Sequence, residues 1–158
     1  MLSKPNGIFL EAIANCGEGV ASQSSRVVPF FLNFLPKGLG QVIAIQASGY
    51  SMYPTIKSGD VCLFYSPYPL TTQDAKWVDQ IYLVSTRNRG LQIKFVTRTL
   101  DEIGLPTGIN LISLNQKLNL PAVKLDENEV DKIYKFYDRI DDKEFFEKVM
   151  WTRESVDE

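Results

Sequence analysis

Short runs of apolar residues, each bounded by polar turn residues, recur along this chain as they do in strands. Segments 41–47 (QVIAIQA), 60–65 (DVCLFY), 80–86 (QIYLVST), 91–98 (LQIKFVTR), 110–115 (NLISLN) and 132–140 (KIYKFYDRI) are rich in Val, Ile, Phe and Tyr. Those residue types fit a pleated surface. Turn chemistry separates the segments: Lys57-Ser58-Gly59-Asp60, Asn88-Arg89-Gly90, and the stretch from Gly104 to Gly108 around Pro106. The Asn88-Arg89-Gly90 step between two strands predicts a β-hairpin. The pattern as a whole predicts a mostly β, compact, antiparallel fold.

The two ends break this pattern. Segment 7–14 (GIFLEAIA) is apolar and runs into the polar, flexible composition of 17–25 (GEGVASQSS). Segment 141–154 carries Phe145, Phe146, Val149 and Met150 at helical spacing, behind Asp141 and Asp142, which favour a helix N-terminus. That spacing predicts a short C-terminal helix docked through its apolar stripe, with a dimer contact as the alternative use. The chain thus divides into an N-terminal segment 1–25, a body 26–140, and an acidic helix and tail 141–158. It shows no internal repeat and no second domain.

Composition narrows the chemistry. The 158 residues are 44% hydrophobic and 23% charged, the balance of one globular domain. A net charge of −2 provides no basic field for a phosphate backbone, which argues against direct contact with nucleic acid. Histidine is absent. Its absence removes Ser-His-Asp and Cys-His catalysis, HExxH zinc sites and a histidine pH switch. Cys16 and Cys62 form no CxxC pair and predict reduced thiols in a cytoplasmic protein, with no metal or cofactor. No apolar run approaches the roughly 20 residues of a membrane span, and the start lacks a signal-peptide pattern.

The stretch Gly49-Tyr50-Ser51-Met52-Tyr53-Pro54-Thr55-Ile56, followed by Ser58-Gly59-Asp60, concentrates the candidate chemistry. Gly49 admits backbone angles closed to other residues, and Pro54 restricts its neighbour, so a sharp turn can present the Ser51 hydroxyl at a strand end. Serine alone is a weak nucleophile and needs a base. Lys94 is the candidate. Alternation in 91–98 sets Leu91, Ile93 and Phe95 on one face and Gln92, Lys94 and Val96 on the other. A lysine titrates near 10.4 in water, so a lysine base requires a site that removes it from solvent.

The residues Ala47-Ser48-Gly49-Tyr50-Ser51-Met52 with Pro54-Thr55, then Ser58-Gly59-Asp60, resemble the nucleophile segment of the LexA/UmuD family. These are self-cleaving bacterial and phage proteins with a serine–lysine dyad. Strand 92–96 (QIKFV) is similar to the family's lysine strand, and 110–115, Pro121 and 132–140 are similar to its closing strands. The resemblance spans residues 7 to 140. Family members cut their own chain between a small residue and glycine upstream of the serine. Cys16-Gly17 is such a step, 35 residues before Ser51. Three features depart from the family. The serine-to-lysine spacing is longer, with the surplus assigned to loop 67–76; Phe95 stands where a basic residue is usual; the acidic tail from Asp141 has no counterpart.

The resemblance implies a LexA/signal-peptidase-like β fold and an intramolecular serine peptidase. Ser51 and Lys94 would be catalytic, main-chain amides around Tyr50 and Ser51 would form the oxyanion site, and Cys16-Gly17 would be cut. It also implies a homodimer and a role in the DNA-damage (SOS) response, with the RecA–single-stranded-DNA filament as co-activator. For a LexA-type transcriptional repressor, DNA would be reached only through a separate N-terminal domain. Two alternatives stay open: a stand-alone UmuD-like subunit of an error-prone polymerase, and a catalytically silent dimerisation module. Signal peptidase shares Ser-Met-x-Pro and a lysine base but needs a membrane anchor, which this chain does not show.

Overall fold

The computed structural model describes residues 4–15, 26–65, 71–74 and 77–152. Its strands are β1 (Gly7–Asn15), β2 (Val27–Phe31), β3 (Val42–Ser48), β4 (Val61–Tyr65), β5 (Gln80–Thr86), β6 (Gly90–Leu100), β7 (Pro106–Ile112), β8 (Val123–Asp126), β9 (Val130–Ile140) and β10 (Met150–Trp151). They form one ten-stranded sheet in the order β10-β2-β1-β3-β4-β9-β5-β6-β7-β8. A further pairing, Asn15 with Gln92, joins β1 to β6 and curls the six strands from β1 through β6 in that order into a closed ring. The pair β2–β10 and the pair β7–β8 extend from it as wings.

The mostly β, compact fold with one short C-terminal helix, α1 (Asp142–Lys148), is the one that the apolar runs and the helical spacing after Asp141 predict. The expected hairpin is present as well: Thr86 pairs with Gly90 across residues 87–89, with Gly90 at φ 74°. One strand corrects the antiparallel expectation. β1 runs parallel to both β3 and β6, because the chain goes out along β2 on the far edge of β1 before returning as β3.

Three packed layers hold this sheet. Inside the ring lie Ile43, Ile45, Cys62, Phe64, Leu83 and Ile93, all buried. Outside it, Phe30, Val42, Ala44, Val61, Leu63 and Phe145 pack beneath β2 and α1. On the other flank, Tyr82, Val84, Val96, Ile109, Leu125 and Ile133 pack between the ring and the β7–β8 wing. β3 and β4 are therefore covered on both faces, which explains why VIAI and VCLF read as continuous apolar runs.

The C-terminal helix is docked, but through less of its stripe than its spacing predicts. Asp141 caps it by accepting from the Lys143 amide at 2.9 Å. Phe145 is fully buried, with its ring 5.5 Å from Phe30, whereas Phe146 and Met150 are exposed. The helix stops at Lys148, and Met150–Trp151 pair with Phe31 and Phe30 of β2. An extended chain here satisfies a sheet edge that a longer helix would leave unpaired. Among the described residues, no helix is long and apolar enough to cross a membrane. Cys16, segment 17–25 and most of loop 67–76 lie outside the described residues.

Phe145→Ala is expected to lower stability by about 3–5 kcal/mol in urea unfolding, the usual cost of emptying a buried phenylalanine site. Phe146→Ala should cost about 1 kcal/mol or less. Equal losses would mean that the helix is not anchored through Phe145.

Candidate active site

Ser51 lies in the connection between β3 and β4, and each conspicuous residue of that connection has a structural task. Gly49 and Gly59 adopt φ values of 94° and 97°, which side chains disfavour. The base of the loop is closed by the Ala47 amide donating to the Asp60 carbonyl and the Gly59 amide donating to the Ala47 carbonyl, both at 2.8 Å. The Gly49 amide donates to Ser58 Oγ at 3.2 Å. The Asp60 carboxylate accepts from the Lys57 amide at 2.8 Å and lies 3.5 Å from Arg139. Met52 and Ile56 are buried in the interior of the ring and anchor the turn from below. The Tyr53–Pro54 peptide is cis. Tyr50 and Tyr53 stay exposed on either side of a Ser51 that is only 1% exposed.

Lys94 approaches from β6. Ile93 is buried inside the ring and Phe95 packs against the same cluster, so alternation directs Lys94 outward. There the wing covers it, leaving it 5% exposed. Its Nζ is 2.8 Å from Ser51 Oγ and 3.0 Å from Ser113 Oγ. Ser113 follows β7 directly. The pairing of Phe95 with Ile112 brings the next residue of each strand, 94 and 113, opposite one another. The structure thus brings together the two residues singled out by sequence and adds a third.

A fourth residue steadies Ser51. The Asn115 amide donates to the Ser51 carbonyl at 2.7 Å, and Asn115 Nδ2 donates to the Tyr50 carbonyl at 2.9 Å. The Tyr50 carbonyl shares its peptide unit with the Ser51 amide, one of the two candidate oxyanion donors, and the Ser51 carbonyl belongs to the unit that follows, so Asn115 holds the backbone on both sides of Ser51. Ser113 and Asn115 both fall within the predicted strand 110–115, but that strand ends at Ile112. Beyond it the chain turns back across the Ser51 loop.

Cys16 and Gly17 lie outside the described residues, yet the residue before them does not. Asn15 pairs with Ser48 of β3 and with Gln92 of β6. Those partners stand three positions before Ser51 and two before Lys94. Beside this point runs a narrow cleft lined by Gln92, Lys94, Ser113, Leu120 and Pro121. Chemically, the site joins a hydroxyl to an amine away from bulk water. Removing a lysine head group from water favours its neutral form, the only form able to take a proton. The chain matches no family model, no curated protein and no solved structure.

Ser51 is expected to react with a fluorophosphonate, faster as pH rises, because the neutral amine is the competent base. Lys94→Ala should abolish this labelling. Asn115→Ala should slow it about 10- to 100-fold, the penalty for a poorly positioned reactive group. Labelling that ignores pH and survives loss of the lysine would contradict the assignment.

Proposed function

We propose that the chain is a LexA-like autoproteolytic regulatory protein that cuts its own Cys16–Gly17 bond. The observation that carries this reading is the buried contact between Ser51 and Lys94, at the point where β1 delivers Asn15 to both catalytic strands. The candidate bond is the next peptide unit but one along the sequence: Asn15-Cys16-Gly17.

Neutral Lys94 donates one N–H to Ser113 and turns its lone pair towards the Ser51 hydroxyl. Ser51 Oγ attacks the Cys16 carbonyl carbon while its proton passes to Lys94 Nζ. Main-chain amides of Tyr50 and Ser51 stabilise the oxyanion. The C–N bond breaks as Lys94 returns that proton to the Gly17 nitrogen, leaving an ester between Cys16 and Ser51. Water then attacks the ester with its proton taken by Lys94. Ser51 regains a proton, and Cys16 ends as a carboxylate. Glycine after the bond lets the chain bend into the site without a Cβ clash. Because the substrate is tethered, its effective concentration is high and the site needs no affinity for free peptides.

The reaction would sever whatever lies upstream of Gly17, as inactivation of a transcriptional repressor requires. By resemblance, the trigger would be an activated RecA–single-stranded-DNA filament, and the working unit a cytoplasmic homodimer.

Self-cleavage should follow first-order kinetics with a rate constant unchanged on dilution. It should accelerate by up to about tenfold per pH unit below the lysine pKa, because deprotonation creates the base. Lys94→Ala should fold and show no cleavage, with or without RecA filament. An apparent first-order rate constant that rises with protein concentration, or cleavage by Lys94→Ala, would overturn the proposal.

A further inference from the structure

Strand β1 precedes the candidate cut, yet it is built into the middle of the sheet. It pairs with β2 from Gly7 to Leu10 and with β3 from Gly7 to Asn15. The Asn6 side chain exchanges hydrogen bonds of 2.9 and 3.0 Å with the Leu32 backbone, and the Asn6 carbonyl accepts from Val42 at 3.1 Å. Gly7 lies so close beneath Phe30 that a Cβ would come within 2.2 Å of the ring. Phe9, 8% exposed, is enclosed by rings from the other end of the chain. Its centroid is 5.8 Å from Phe145, 5.9 Å from Phe146 and 5.6 Å from Trp151. Trp151 is fixed in turn by the β10 pairing with β2. Apart from that β10–β2 pairing, these contacts all join a residue before position 16 to a residue after it, and none depends on the peptide bond between them.

We propose that the C-terminal tail is a clasp that keeps the upstream segment seated between β2 and β3 after the chain is cut. Cutting and separation are then two distinct steps. The proposal takes the cut itself from the self-cleavage reading. Hydrolysis adds one water across the Cys16–Gly17 bond and leaves a carboxylate and an amine, and it breaks no hydrogen bond of β1. An extended segment bonded through its backbone along both edges, with one aromatic anchor in a closed pocket, is a peptide held by strand addition. The slot accepts an extended apolar peptide with glycine two residues before phenylalanine, in the order Gly7-Ile8-Phe9. The gap of one residue sets both on one face of the strand, glycine beneath Phe30 and phenylalanine among the tail rings. Release requires Phe9 to leave those rings, so a partner that displaces the tail or pulls on the upstream chain completes what the cut begins.

The test uses the full chain carrying Ser51→Ala, with a specific protease recognition sequence inserted after Gly19 and cut by added protease. The two fragments should co-elute in gel filtration, give a single native mass, and separate only in denaturant. Phe9→Ala should weaken retention about 100-fold, the equivalent of losing a buried phenylalanine anchor. Trp151, half exposed, supplies the milder variant: Trp151→Ala should keep the fold and speed release measurably. Immediate separation of the fragments in buffer, or Trp151→Ala releasing no faster than its parent, would overturn the proposal. Since added protease makes the cut in a chain lacking Ser51, this result and that of self-cleavage are independent.

Discussion

Holding a lysine amine out of water beside a serine is the demand on which the rest of the structure turns. An ammonium group transferred from water into a protein interior costs several kcal/mol unless it is compensated or neutral. Lys94 sits under the β7–β8 wing with hydroxyls of Ser51 and Ser113 as partners. The wing exists because β6 is long enough to pair with β5 along one edge and with β7 along the other. The ring places the end of β3 across from the same stretch of β6, so the Ser51 turn meets the lysine there. Asn115 ties the returning chain to that turn. Each element near the dyad therefore either excludes water from Lys94 or fixes the position of Ser51.

Much of this was legible in the residues themselves. Runs of β-forming residues between turn signals located most of the body strands, and alternation within 91–98 set the face occupied by Lys94. Ser58-Gly59-Asp60 marked a turn whose hydrogen bonds the structure supplies. Ser113 was harder, because its position depends on the register of the β6–β7 hairpin rather than on any local signal. A bend centred near Gly104 carries that register, but a one-residue slip would bring its neighbour to the lysine instead. β2 contains Pro29, which weakens a strand pattern. The apolar run of β1 does not reveal that it lies parallel to β3, since direction is set by the route of the chain between them. At the other end, Val149, Met150 and Trp151 suit a helix or a strand equally. The open edge of β2 decides for the strand.

The same geometry gives β1 two roles that pull in opposite directions. As a strand it closes the ring and fills the core with Phe9; as the approach to the candidate bond it must present its C-terminal end to the dyad. A chain held in register up to Asn15 reconciles them, since in the proposed reaction the sheet rather than a pocket would carry the chain to the dyad. The C-terminal tail adds to the seating of the strand, since it folds back over Phe9.

The central claim is that Ser51, activated by Lys94, breaks the bond after Cys16. Intact-mass analysis of the purified protein under denaturing conditions, after incubation at neutral and alkaline pH beside Ser51→Ala, tests it most directly. The account predicts two fragments whose masses sum to the parent plus one water, with the break between Cys16 and Gly17, more of them at alkaline pH, and none from Ser51→Ala. A break elsewhere in the chain, or the same fragments from Ser51→Ala, would contradict it.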